Sequence, residues 1–155
     1  MTFSLDVKEF AEEVALGVDE VRKSVALDLF SRIVLSTPVD TGRLRNNWVP
    51  SVGKPLKQTR AGLDKSGATK IQEMRVKVGA AKPEDSIYLS NDLDYAPVVE
   101  FGLYPNPPQT PELRKTPPGK TKNGFSTQAP EGMVRINVAK FQAALDEAVA
   151  KRRKS

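Results

Sequence analysis

Thr37-Pro38-Val39-Asp40-Thr41-Gly42-Arg43-Leu44-Arg45-Asn46-Asn47-Trp48 is the stretch that decides the fold of this 155-residue chain. It halts an amphipathic helix, turns, and delivers the only tryptophan into the first strand. Pro38 cannot continue a helix, because it lacks an N–H and its ring clashes with the preceding turn. Asp40 and Thr41 are suited to bonding nearby backbone N–H groups, and Gly42 permits the positive φ a reversal requires.

Upstream of this turn, Val7, Ala11, Val14, Val18, Val21, Val25, Leu29 and Ile33 recur every three or four positions. That spacing predicts a helix over 6–35 with Asp6 as its N-cap. A second stripe of Leu16, Leu27, Phe30 and Val34 predicts that the C-terminal half is packed on two sides. The first turns are covered more thinly. Such a helix reaches roughly 43 Å, so either Gly17 breaks it or its N-terminal half extends to a neighbour.

Downstream, strands are expected at about 47–52, 71–79 and 86–91. In 71–79 the alternation of Met74, Val76 and Val78 with Glu73, Arg75 and Lys77 reads as a half-buried strand. It should pair antiparallel with 86–91 through a turn near 80–85. Residues 53–70, polar and basic, read as a loop or hairpin arm, mobile in isolation. A short helix is expected over 95–101, with Asp92 or Asp94 as cap and Gly102 as stop. A proline-rich loop over 102–129, with Pro107-Pro108 and Pro117-Pro118, leads into a last helix over 132–153. Its apolar stripe is Val134, Val138, Phe141, Leu145 and Val149, and its basic end complements the helix dipole. The expected fold class is α+β within a single domain over 1–155: a long N-terminal helix and a C-terminal helix packed on one face of a small antiparallel sheet, with long flexible loops.

The chain has no cysteine and no histidine. Disulfides, thiolate nucleophiles, Ser-His and Cys-His pairs and the usual Cys/His zinc sites are therefore excluded. No apolar run approaches the roughly 20 residues that span a bilayer, and the start has no signal-peptide pattern, so a soluble, cytoplasmic protein is expected. Asp92 and Asp94 beside Asn91 lack a third acid at cation-binding spacing and read as helix caps. Tyr88, Tyr95 and Glu100 have no partner at recognisable spacing and read as structural. Gly119-Lys120-Thr121 resembles the end of a phosphate loop, but its upstream glycine is missing. No catalytic, metal or cofactor residues are expected.

Charge is unevenly spread. Residues 1–42 carry four Lys/Arg against eight Asp/Glu, whereas 43–82 carry ten against two. The tail Lys151-Arg152-Arg153-Lys154 is wholly basic. Such polarity suits acidic partners, nucleic acid included. The basic segment lacks interleaved aromatics and no sequence-reading motif is present, so any DNA contact would be backbone-directed.

Three blocks together resemble one family: Pro38–Trp48, with a "P-x-D-T-G-x-L" turn (Pro38, Asp40, Thr41, Gly42, Leu44) and a following Trp48; Asp94–Gly102, with "Y-A-x-x-x-E-x-G" (Tyr95, Ala96, Glu100, Gly102); and Gln128–Met133 with Pro130. They look like the tail-completion proteins, also called neck or head–tail joining proteins, of long-tailed bacteriophages and prophages. The resemblance implies a non-enzymatic virion assembly protein. It implies a homo-oligomeric ring joining the DNA-filled head to the tail, with connector and tail proteins as partners. It implies a place in the virion neck, assembled in the host cytoplasm. Under this expectation the motif residues maintain the subunit. Arg43, Arg45, Lys54, Lys57, Arg60, Lys65 and Lys70 are the candidate assembly or DNA-facing contacts. The contrasting reading is a stand-alone basic nucleic-acid-binding module.

Overall fold

The computed structural model describes residues 3–105 and 120–143, with the side chains of the first helix from Gly17 onward. Helix α1 runs unbroken from Phe3 to Ser36. Gly17 does not interrupt it, because one mid-helix glycine costs only about 1 kcal/mol relative to alanine. Ile33 and Val34 are buried, with Leu27, Leu29 and Phe30 packed around them, whereas Val18 and Val21 are each 64% exposed. Both stripes thus reach the core in the C-terminal half of α1, as packing on two sides requires, whereas Val18 and Val21 face solvent.

The turn contains a single-turn helix α2 (Arg43–Asn46), followed by β1 (Val49–Val52). Trp48 precedes the strand rather than lying in it. β1 pairs antiparallel with β2 (Ile87–Ser90), Val49 facing Ser90 and Val52 facing Ile87. Both strands are edges of a two-stranded sheet, which is where a proline such as Pro50 is tolerated.

The expected strand over 71–79 is instead helix α3 (Ala68–Gly79), and its expected pairing with 86–91 is replaced by β1–β2. Lys70, Met74 and Val78, four residues apart, form the buried face, while Val76 is 63% exposed. The apparent alternation counted Val76 as an inward residue. The helix packs between α1 and β1, and what starts it lies upstream. Asp64 Oδ1 accepts hydrogen bonds from the Gly67 amide at 2.8 Å and the Ser66 hydroxyl at 3.1 Å, and Oδ2 accepts from the Lys70 amide at 3.2 Å. First-turn amides have no acceptor within the helix, so Asp64 supplies one.

Helix α4 (Ala96–Phe101) ends at Gly102 in the left-handed conformation, as expected. Neither Asp92 nor Asp94 caps it: no side chain caps this helix, and Asn91 Oδ1 instead accepts from the Leu93 amide at 3.3 Å. Within the expected loop 102–129, Thr121–Lys122 (β3) and Phe125–Ser126 (β4) form a small hairpin against α4. The residues 106–119 of that loop lie outside the described residues. The last helix, α5, is described from 135 to 143, three residues later than expected, and the remainder of the expected 132–153 lies outside the described residues.

One core unites these parts. Ile33 and Val34 of α1, Leu44 of α2, Trp48, Met74 of α3, Leu93, Ala96 and Val99 around α4, and Ala129 and Met133 before α5 are all buried together.

Candidate functional site

The turn after α1 is locked from both ends. Thr37 Oγ1 donates to the Ile33 carbonyl at 2.8 Å and accepts from the Trp48 indole Nε1 at 2.8 Å. Trp48 is 5% exposed, so its one polar atom is satisfied inside the core. Thr41 Oγ1 accepts from the Arg43 amide at 3.3 Å, while Asp40 is exposed and pairs with Lys120 Nζ at 3.4 Å. Gly42 has φ 92°, and a Cβ there would lie 2.8 Å from the Asp64 carbonyl carbon. Its carbonyl accepts from the amides of Asn46 at 2.9 Å and Asp64 at 3.2 Å. The glycine is needed both for its dihedral and for the close approach of 64–65.

Asn47, wholly buried, ties the same turn to residue 60: its Nδ2 donates to the Arg43 and Arg60 carbonyls, and its Oδ1 accepts from the Arg60 amide at 2.6 Å. Residues 53–70 are therefore fastened to the body at Asn47, Gly42 and Asp64, which corrects the expectation of a mobile arm.

The second and third sequence blocks meet at Glu100. This side chain sits on α4 and is almost fully buried. Its Oε2 accepts from the amides of Met133 at 2.6 Å and Val134 at 2.8 Å, and its Oε1 from the Arg135 amide at 2.9 Å and Arg135 Nε at 3.1 Å. Arg135 also donates through Nη2 to the Glu100 carbonyl at 2.8 Å, and its guanidinium lies 4.7 Å over the Phe101 ring. Gly132 makes room for this: a Cβ there would sit 2.5 Å from the Glu100 carbonyl oxygen. Burial by itself pushes the Glu100 carboxyl up, but the three amides and Arg135 together hold it below the usual carboxylate range. The carboxylate has about four acceptor positions and all are filled. It is a fixed structural anion with no lone pair for proton transfer, capping α5 from an element 33 or more residues away.

The third block also grips the first. Gln128 Oε1 accepts from the Val39 amide at 2.9 Å, and its Nε2 donates to the Val39 carbonyl at 3.0 Å. Asn91 Nδ2 bonds the Leu44 carbonyl at 3.0 Å, joining the approach to α4 with the turn. The segments 37–48, 94–102 and 128–133 thus form one continuous junction. Of the remaining motif residues, Leu44 and Ala96 are buried in its core, whereas Tyr95 is partly exposed and Pro130 is exposed.

The basic residues divide in two. Arg45 is committed internally: Nη1 donates to the Lys65 carbonyl at 2.6 Å, and Nη2 to the carbonyls of Leu35 at 2.9 Å and Thr37 at 2.8 Å. Burial lowers its pKa, partly offset by the charge of Asp64. Arg60 and Lys70 both pair with Glu73, at 2.7 and 2.9 Å, and the Lys70 side chain is only 3% exposed. These three are committed to partners within the chain, and of them Lys70 is buried. Arg43, Lys54, Lys57 and Lys65 are exposed. Among the described residues, no group of three or more Asp or Glu is placed to hold a metal ion, and no helix is long and apolar enough to cross a membrane.

Asp64 and Arg135 are junction residues outside the three sequence blocks, and Asn47, Gln128 and Gly132 lie within them without an individual role in the sequence reading. Only Asp64 carried a local signal, as an N-cap type three residues before a glycine. Comparison with protein-family models, curated proteins and solved structures finds no match for this chain.

Proposed function

We propose that this chain is a structural virion-assembly protein, a subunit of the neck or tail-completion ring that joins the DNA-filled head of a long-tailed phage to its tail. The observation that carries the reading is the junction itself. The three blocks on which the resemblance rests are far apart in sequence, yet Gln128 clasps Val39 and Glu100 caps the chain at 133–135. Residues that must meet to hold one fold are the ones a family of structural subunits would share. On this reading the junction does no chemistry, since Glu100, the buried acid at its centre, is saturated with donors. It holds the subunit rigid while exposed charges and helix faces meet neighbouring proteins, and passing DNA is touched only through its backbone.

The test is electron microscopy of virions made without this protein. Separate filled heads and tails are the expected result; intact, infectious virions would overturn the proposal. Tight binding of free duplex by the isolated chain, with a steep salt slope, would point to a stand-alone nucleic-acid module instead.

A further inference from the structure

The hairpin of β3 and β4 turns through Asn123-Gly124, and both residues have positive φ, 53° and 83°. That is the two-residue turn for which Asn-Gly is the preferred sequence. Among the described residues, Asn123 is the only residue other than glycine with positive φ. It is also the only one of the six asparagines in the chain that is followed by glycine. The side-chain amides of Asn46, Asn47, Asn91 and Asn137 each donate to a carbonyl or hydroxyl oxygen. Asn123 is exposed, and its side chain has no hydrogen-bond partner among the described residues.

Two opposed features meet at this amide. Gly124 has no side chain to shield Asn123 Cγ from the Gly124 nitrogen, so a five-membered ring can close between them. The turn prevents that closure. At a ψ of about 47°, the ordinary value for the left-handed region, the Gly124 nitrogen lies opposite Asn123 Cβ across the Cα–C bond and cannot reach Cγ. Ring closure needs that bond to swing through roughly half a revolution, which opens the hairpin. The hairpin is held shut from outside. The Gly124 carbonyl accepts from the Tyr104 amide at 3.0 Å, and the Phe125 ring fills the space where a side chain on Gly102 would stand. A Cβ on Gly124 would collide with the Gly102 carbonyl oxygen.

We infer that Asn123 is a site of self-modification, gated by the docking of this hairpin. When the turn opens, the Gly124 nitrogen bonds to Asn123 Cγ and the Cγ–Nδ2 bond breaks. Nδ2 leaves as ammonia, taking the proton lost by the Gly124 amide. Water then opens the cyclic imide. Attack at Cγ gives aspartate, whereas attack at the main-chain carbonyl carbon gives isoaspartate, whose main chain runs through Cβ and Cγ. The isoaspartyl form adds an atom to a turn that has no spare room beside Gly102. The hairpin then fails to redock, and the altered form accumulates with the time spent open.

Peptide mapping by mass spectrometry tests this on the full chain, aged at mildly alkaline pH both folded and in urea. Conversion at Asn123 should be at least about tenfold slower in the folded chain, because only the open population reacts. Phe125→Ala, shown to be folded by circular dichroism, should convert severalfold faster than the wild type. In the isoaspartyl fraction the Tyr104 amide should lose its protection from hydrogen exchange. Asn123→Gly, which tolerates the same positive φ, should keep that protection after equal ageing. Equal rates in the folded chain and in urea, or an Asn123 that stays intact in urea, would overturn the inference. So would a Phe125→Ala rate no faster than that of the wild type, or full Tyr104 protection in the isoaspartyl fraction.

Discussion

Asp64 and Glu100 are two buried carboxylates with the same task and different reach. Asp64 accepts the amides of Gly67 and Lys70 and so caps the helix that begins four residues after it. Glu100 accepts the amides of Met133, Val134 and Arg135, so it caps a helix that the chain reaches only after the long excursion from α4. In both, burial raises the carboxyl and backbone hydrogen bonds outweigh it, leaving the group below its ordinary range. The local cap stabilises one helix. The distant cap stabilises a helix and also fastens two parts of the chain together, so its loss should be felt by the whole fold.

Replacing Glu100 is accordingly the change with the largest expected effect. Glu100→Ala strands three amides and the Arg135 guanidinium, and we expect a loss of about 3–5 kcal/mol in urea denaturation at neutral pH. A loss below about 1 kcal/mol would erase the distinction between the two caps. Gly132→Ala attacks the same junction through its backbone. With φ 89° and a Cβ 2.5 Å from the Glu100 carbonyl oxygen, it should cost about 2–3 kcal/mol. Asp64→Ala removes the local cap, with an expected cost of about 1–2 kcal/mol. If it instead matched Glu100→Ala, Asp64 would be acting through the contact of its backbone with Gly42 as much as through α3.

Acid titration compares the two without substitution. The folded carboxyls of Asp64 and Glu100 lie below their unfolded values. Their stabilisation is therefore fully present above the unfolded carboxylate pKa of about 4 and is lost as pH falls through the folded values. The chain should hold constant stability from about pH 6 to 8, having no histidine to titrate there. Denaturation curves below about pH 4 should then show stability falling steeply. In Glu100→Ala that acid slope should be shallower, and an unchanged slope would place the acid sensitivity elsewhere.

Reach also explains what could be read from the sequence. The turn at Gly42, the strand just after Trp48, the strand expected over 86–91 and the stop at Gly102 are written in residues a few positions apart, and each is found close to where it is expected. Helix α3 was not legible in the same way. Ile71, Met74 and Val78 fit a helix, while Met74, Val76 and Val78 fit a strand, over the same nine residues. The deciding signal was Asp64 and Ser66, just upstream, in a stretch read as a mobile arm. Composition revealed that residues 43–82 are basic but not which charges the fold consumes. Arg45 spends its guanidinium on three backbone carbonyls, and Arg60 and Lys70 share Glu73. Glu100 stood out as a motif residue without a visible reason, because its donors lie 33 to 35 residues away. Gln128 was hidden in the same way, its partner Val39 being 89 residues distant.

That the three sequence blocks serve as one structural junction centred on Glu100 is most directly tested by residue-resolved amide hydrogen exchange. Met133, Val134 and Arg135 donate to Glu100 and lie at the start of α5, where amides have no intrahelical acceptor. In the wild type they should be protected to nearly the level of global unfolding. In Glu100→Ala, at a denaturant-free pH where the chain remains folded, these three should exchange like exposed amides while the Asn46 amide, bonded to the Gly42 carbonyl, keeps more of its protection. Protection of the three amides that is absent in the wild type, or undiminished in the variant, would contradict the account.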